Sequence, residues 1–438
     1  MFFITENLMN PRLLAHNLLQ KAEKNDQYSN IALDKALLDA KMSDVDSALA
    51  SALFYGVTEK KISLDYRLTA LSSRPLETLD KSVLCALRLG LYQLDFMDRI
   101  PAHAAINETV SLCQRKSAGF VNAILRSHTR TEATPLPSKE NDTVAYLSVK
   151  YSIIPALCKK FLSVYGLEKC ESIFTSLEKT PPTTLRVNTL RISREALAEK
   201  IPSAELSELS AHGLKIKGSV RSAYGFDSGL FFVQDEASQL CVEALGANEG
   251  EVVMDICACP GSKSFGSAIR MENKGQIFSY DLYEKKLSLI TSGAERLGID
   301  IITAAQRDGR DFIPEMEEKA DRVLCDVPCS GFGVLAKKPE LRYKDPSVSS
   351  ALPDIQLAIL ENACKYVKRG GRLVYSTCTV FPEENEENVR RFLDRHNDFT
   401  LTPFCAGALN VDRGMITLLP DEHGTDGFFI AVLTKKGE

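Results

Sequence analysis

The sequence predicts a multidomain protein with an all-α amino-terminal bundle, a small α+β unit and a carboxy-terminal α/β domain built on a doubly wound parallel sheet. Three observations predict it. Residues 1–130 place apolar side chains at three- and four-residue steps almost throughout. A polar stretch with two prolines, TEATPLPSKENDT at 131–143, then reads as a linker. From about residue 250 short apolar runs alternate with helical patterns, which packs helices on both faces of a mostly parallel sheet. The 438 residues agree, being about three domains of ~150. The boundaries set by these patterns are 1–130, 131–143, 144–235 (a helical connection and the small α+β domain) and 236–438.

In the first domain, Leu13–Ala22, Val83–Phe96, Ala102–Lys116 and Gly119–Ser127 carry helical spacing, and Arg99-Ile100-Pro101 interrupts it. Six or seven helices are expected. Helical spacing resumes from Val144 to Leu177, and Lys179-Thr180-Pro181-Pro182 then leads into the extended segment TLRVNTL. A helix at Ser193–Lys200 and the run GLFFVQ complete the small unit. The strands of the last domain are VVMDICA, QIFSYDL, IITAAQ, RVLCDV, RLVYST and FFIAVL, with helices at Tyr283–Leu297, Pro353–Val367 and Glu383–His396.

At 44% hydrophobic and 25% charged, the composition excludes a disordered, collagen-like or low-complexity chain. No run approaches the ~18 apolar residues of a membrane span, so no membrane partner is expected. The start, MFFITENLMNPRLL, lacks the basic and apolar regions of a signal peptide. Twelve cysteines in so long a chain do not form a disulfide framework, and a cytoplasmic protein with reduced thiols is expected. The net charge of −5 is unevenly spread. Residues 1–130 carry 16 basic against 14 acidic side chains, and 99–130 hold Arg99, Arg115, Lys116, Arg126 and Arg130 against Glu108. Such a patch on an acidic protein points to a polyanion, or simply to a solvated helix face.

VVMDICACPGSKSFGSA runs from a buried strand through a turn of small residues into a helix. The turn at Cys257, Ala258, Cys259, Pro260, Gly261, Ser262 and Lys263 lets main chain approach a ligand closely. Asp281 follows Gly261 by twenty residues, a spacing that suits ribose hydroxyls, and Asp308 follows the third strand, where an adenine amine would lie. Neither G-x-G-x-x-G nor a P-loop is present, so a nucleoside without a pyrophosphate, such as S-adenosylmethionine, fits best. The fourth and fifth strands end in CDVPCSG and YSTCTVFPEENEENV, sending Cys329 and Cys378 from neighbouring strand ends toward that ligand. Without a C-x-x-C or nearby histidine, Cys257, Cys259, Cys325 and Cys329 do not read as a metal site. Cys85, Cys113, Cys158, Cys241, Cys325 and Cys364 read as small buried hydrophobes.

CACPGSK, DVPCSG, STCTVFPEENE, VQDEASQL and TDGFFIA together resemble the Sun/NOL1/NOP2 family of S-adenosylmethionine-dependent RNA cytosine-C5 methyltransferases. The helical part, with PAHAAINETVSL and GFVNAILR, resembles the NusB-type RNA-binding domain, a pairing similar to bacterial 16S rRNA methyltransferases of the Fmu/Sun type. The resemblance spans nearly the whole chain. The family's usual C-A-A-P-G-G-K stands here as CACPGSK, followed by an atypical SFGSA. It implies a NusB-like bundle, an RRM/ferredoxin-like unit and a Rossmann-like methyltransferase domain. It further implies methylation of cytosine 967 of 16S rRNA, with Cys378 as nucleophile at C6, Cys329 as the product-release group and Asp326 at the N3 edge of the base and beside the cofactor. Lys263 would orient cofactor or base, or else lie on the surface facing phosphate.

A target base must leave its stack to reach such a pocket, so a single-stranded loop of 16S rRNA with a flipped cytosine is the expected partner, bound by a monomer. Lys337, Lys338, Arg342 and Lys344, with Tyr343 among them, are placed to hold phosphates and stack a base. Arg186 and Asn188 match a family RNA-contacting element, and Arg115 and Lys116 of the basic stretch add affinity. A transfer-RNA substrate and a non-catalytic, RNA-binding assembly factor are the alternatives.

Overall fold

The computed structural model describes residues 10–25, 30–218 and 220–437. The stretch 1–9, read above for an export signal, lies outside the described residues. The chain divides into two compact units, Met1–Phe174 with Lys338–Asp345, and Thr175–Lys337 with Pro346–Glu438.

The first unit is helical. Helices α1 (Pro11–Asn25), α2 (Asn30–Ala40), α3 (Asp44–Glu59), α4 (Lys61–Leu71), α5 (Lys81–Phe96), α6 (Ala102–Ser111) and α7 (Arg115–His128) precede the linker, and α8 (Thr143–Tyr151) and α9 (Pro155–Ser176) follow it. Short polar residues start several of them: Ser43 accepts from Asp46 N–H, Asp80 from Ser82 N–H and Asp142 from Ala145 N–H. Their apolar stripes meet in a core that includes Leu53, Leu64, Leu68, Leu87, Leu89 and Leu125. The helix expected over Ala102–Lys116 ends at Ser111, and a new one starts from the extended Gln114. The run expected over Val144–Leu177 is broken by Ser152, in the left-handed region at φ 56°, and kinked at Gly166. The compact unit continues past the linker because α8 is tied into the bundle. Ser63 Oγ donates to the Val149 carbonyl, and Ser152 Oγ accepts from Ile62 N–H at 2.8 Å.

The second unit holds two sheets. The smaller contains β1 (Thr183–Val187), β2 (Glu205–Leu206), β3 (Gly213–Ile216) and β4 (Phe231–Val233), antiparallel in the order β2-β3-β1-β4, with α10 (Arg194–Lys200). After α11 (Glu236–Leu245) come β5 (Val252–Asp255), α12 (Ser262–Arg270), β6 (Gln276–Asp281), α13 (Glu284–Leu297), β7 (Ile302–Gln306), β8 (Ala320–Asp326), α14 (Leu352–Ala363), β9 (Val367–Thr377) and α15 (Glu386–Leu393). The chain ends with β10 (Phe399–Leu401), a hairpin of β11 (Phe404–Ala406) and β12 (Leu409–Val411), β13 (Met415–Leu418), α16 (Pro420–His423) and β14 (Phe428–Lys435).

The large sheet runs β10-β14-β9-β8-β5-β6-β7, with β13 also on β14. Strands β5 to β9 are parallel and β14 is antiparallel to β9. Apolar layers cover both faces, Leu240, Ala268, Ile290 and Ile430 in one and Met254, Val323, Leu360 and Phe392 in the other. Because β5 lies between β6 and β8, the connections leave β5 in opposite directions and open a crevice at the strand ends. No described helix is long and apolar enough to cross a membrane.

Candidate active site

β8 and β9 are parallel neighbours with Asp326 opposite Ser376, so their following turns leave the sheet side by side. The prolines at 328 and 382 bar further ladder pairing. Cys329 and Cys378 are brought together: their Sγ atoms are 3.0 Å apart, and Cys378 N–H donates to Cys329 Sγ at 3.2 Å. Both are half-buried. The hydrogen bond with Cys378, and then burial, push the Cys329 thiol well above its usual range.

Two glycines let the turns approach. Gly333 N–H donates to the Cys378 carbonyl at 2.9 Å, and Gly427 N–H to the Gly333 carbonyl at 2.8 Å. A Cβ on Gly333 would lie 1.9 Å from the Gly427 oxygen.

Asp326 sits at the end of β8 with both carboxylate oxygens engaged, one by Lys263 Nζ at 2.6 Å and the other by Ser376 Oγ at 2.8 Å. Lys263 is 8% exposed, so it is not a surface lysine facing phosphate. Burial lowers its pKa, but the Asp326 carboxylate outweighs that and holds the ammonium protonated.

On the other side of β5, the turn 257–262 doubles back and Gly261, at φ 106°, starts α12. A side chain there would meet the Phe265 ring, since the added Cβ falls 2.6 Å from it. Asp281 accepts from Cys259 N–H at 3.2 Å and from Tyr283 N–H at 3.0 Å, which aims its carboxylate from the end of β6. Asp308 follows β7, its carboxylate gripped by Arg310 through Nε at 2.9 Å and Nη2 at 2.5 Å. Beneath the turn, Asp255 takes the Ser264 hydroxyl at 2.6 Å on one oxygen, while the other is buried without a partner. Burial pushes its pKa up to about 7. Burial likewise pushes the Cys257 thiol well up, and that of Cys259 to about 12.

Several residues expected to touch RNA are placed elsewhere. Arg186 is 1% exposed, its guanidinium reaching the Gln239 carbonyl at 3.5 Å, and burial lowers its pKa to about 10. Asn188 is fully buried and donates to the Gly229 and Leu297 carbonyls, both at 2.9 Å. These two are internal struts of the second unit. Arg342 is equally buried in the first unit, paired with Glu59 at 3.4 Å and donating to the Tyr151 carbonyl at 3.3 Å. Tyr343 spends its hydroxyl on the Thr58 carbonyl at 2.5 Å. Lys337 is caught between Asp235 and Asp426, the latter at 2.9 Å. It lines an open cavity of about 370 Å³ with Thr184, Gln234, Ser262 and those two aspartates. Burial, and then Asp235, push Asp426 up to about 7. Lys338, Arg115 and Lys116 are exposed.

Residue reasoning passed over Ser264, Ser376, Glu384 and Asn385, although PEEN follows the second cysteine motif directly. Glu384 and Asn385 are buried and bonded to the cysteine turns.

The 16S rRNA methyltransferase RsmB/F family model matches residues 242–434, the NusB family 9–130, and the ferredoxin-like domain of RsmF/B-like methyltransferases 156–222. A probable ribosomal RNA small subunit methyltransferase B of Bacillus subtilis is 37% identical, with 97% of this chain and 99% of that one covered. The chain belongs to the ribosomal RNA small subunit methyltransferase B family. Another member, from Citrobacter koseri, is 32% identical over 97% of this chain and 98% of its own. Among solved structures, one titled Crystal Structure of PH0851 is 28% identical with a TM-score of 0.80, covering 97% of this chain and 99% of that one. NSun6 from Pyrococcus horikoshii with SFG shares the fold at 24% identity and a TM-score of 0.59, covering 65% and 98%.

The chain is thus a methyltransferase with NusB-like, ferredoxin-like and Rossmann-like parts. Its cofactor is S-adenosylmethionine. The residues fit that group. The glycine-opened turn offers main chain, two carboxylates stand at the ends of β6 and β7, and an unpartnered buried carboxylate oxygen lies beneath.

Proposed function

We propose that this methyltransferase modifies C5 of a cytosine in 16S rRNA, at position 967, through a covalent bond between Cys378 and C6. The reading is carried by the two sulfurs 3.0 Å apart on adjoining strand ends, beside the Lys263–Asp326 pair. Cytosine C5 is too electron-poor to take a methyl group directly. A thiolate adding at C6 makes C5 nucleophilic. Charge then builds along the N3–O2 edge, and the Lys263–Asp326 pair has a proton to present there. S-adenosylmethionine, when bound, supplies the methyl group. The turn from Cys257 to Lys263, with Asp281, Asp308 and Asp326, holds it.

Release needs the C5 proton removed. Cys329 takes it, the C5–C6 double bond re-forms, and the bond from C6 to Cys378 breaks with its electrons returning to sulfur. Cys329 does so as its thiolate, its own proton having first passed to water. The target base reaches the sulfurs only when unstacked, so the RNA binds as a single-stranded loop with the cytosine flipped. The protein acts as a monomer in the cytoplasm, with Arg115, Lys116 and Lys338 on phosphates.

Incubation with tritiated S-adenosylmethionine and unmodified 16S rRNA is expected to label one cytosine, located by bisulfite sequencing. Absence of label on intact RNA, with cofactor bound, would overturn the reading.

A further inference from the structure

After Cys378 the chain passes through Thr379 to a 3-10 turn, Pro382–Glu384, and into α15. Glu384 is 1% exposed, and one of its carboxylate oxygens accepts from Ser330 N–H at 2.9 Å and from Gln356 Nε2 at 2.8 Å. The same Gln356 amide donates to the Pro328 carbonyl at 3.0 Å. Cys329 is therefore held from the residue before it and the residue after it.

Asn385, fully buried, does the same for Cys378. Its Oδ1 accepts the Thr377 hydroxyl at 2.6 Å, and its Nδ2 donates to the Thr379 carbonyl at 3.1 Å. The Ser330 hydroxyl donates to Thr379 Oγ1 at 2.9 Å, joining the two turns directly. Tyr375, donating to the Glu384 carbonyl at 2.6 Å, fixes the adjacent pair to β9.

We infer that Glu384 and Asn385 are positioning residues for the two thiols, Glu384 setting the Cys329 turn and Asn385 the Cys378 turn. The inference rests on the roles given to those cysteines above. Both side chains act through geometry: a neutral amide at 384 could accept the same two hydrogen bonds, and Asn385 is itself neutral.

The test uses the full chain and two measurements, with melting temperatures confirming that each variant folds. Diamide takes one hydrogen from each of two thiols as their sulfurs join, becoming the hydrazine, and peptide mass spectrometry locates the new disulfide. In the unaltered protein Cys329 should couple to Cys378 ahead of every other pair. Glu384→Ala and Asn385→Ala should slow that coupling about 10- to 100-fold, the loss that follows from misplacing reacting groups. Glu384→Gln, which keeps both hydrogen bonds, should couple at the unaltered rate.

With 16S rRNA and S-adenosylmethionine, Asn385→Ala should slow formation of the protein–RNA adduct. Glu384→Ala should form it and release it slowly, leaving a retarded gel band, whereas Glu384→Gln should form and release it at the unaltered rate. Unaltered diamide rates in both alanine variants would overturn the proposal. So would an equal fall in coupling, adduct formation and cofactor affinity, since that is general loosening. If the unaltered protein methylates no RNA while its thiols still couple and the alanine variants do not, the substrate reading fails and the positioning roles stand.

Discussion

A buried carboxylate costs folding free energy whenever it is ionised, and Asp255 is the clearest case in this chain. Burial raises its pKa to about 7, against about 3.9 in an unfolded chain. Between those values the folded state keeps a proton that the unfolded state has released. Its contribution to stability is therefore largest below pH ~4, declines as pH rises toward about 7, and is level above that. Asp255→Asn removes this titration, so the variant should gain on the unaltered protein between pH 5 and 8, by about 2–3 kcal/mol. Urea midpoints at the two pH values measure it, and a difference that stays constant would contradict the assignment. The two sulfurs call for a chemical test. Cys378→Ala should abolish methylation, whereas Cys329→Ala should accumulate a covalent protein–RNA species on a denaturing gel. Identical behaviour, with an adduct from neither, would mean that the roles are wrongly divided.

Among elements, the pair of turns after β8 and β9 depends on close main-chain approach more than on any side chain. Gly333 and Gly427 meet where a Cβ would fall 1.9 Å from a carbonyl oxygen, a contact that forces the backbone apart. Gly333→Ala should cost about 1–3 kcal/mol in thermal or urea unfolding, the range for overpacked sites. It should reduce methylation by a larger factor than the stability loss explains, because its N–H holds the Cys378 carbonyl. Affinity for S-adenosylmethionine, measured by titration calorimetry, should change little. This is also the scale at which the sequence speaks most clearly. The strands ending at Asp255, Asp281, Asp326 and Thr377 follow from apolar runs bounded by turn residues, and their parallel pairing puts two cysteine turns side by side. What lies behind those turns was not legible. Glu384 and Asn385 stand in a run of acidic and amide residues, EENEEN, whose polarity gives no sign of burial. Only the fold shows that these two point inward. Arg186, Asn188 and Arg342 err the other way, since a basic or amide side chain reads as surface until its burial against carbonyl groups is seen.

Over the whole molecule, charge is divided more cleanly than structure is. The linker at 131–143 is evident as a proline-bearing polar stretch, yet the helical unit continues through Phe174 and includes 338–345 from far along the chain. Non-local packing of that kind leaves no periodic trace. The basic stretch, by contrast, is local: Arg99, Arg115, Lys116, Arg126 and Arg130 are all exposed. Arg115 and Lys116 open α7, where the helix dipole already presents positive charge. Two cations there lower helix stability unless an anion pairs with them, which favours a phosphate-binding role over an idle solvated face. Replacing both with alanine should weaken binding of 16S rRNA and flatten its salt dependence, the slope of log K against log salt falling by about 0.7 per charge removed for a single-stranded site. The same double variant should melt no lower than the unaltered protein and bind S-adenosylmethionine equally well. Filter binding across a range of potassium chloride concentrations checks the slope. A uniform loss of affinity with an unchanged slope would place these two side chains away from the phosphates and return the patch to a solvated face.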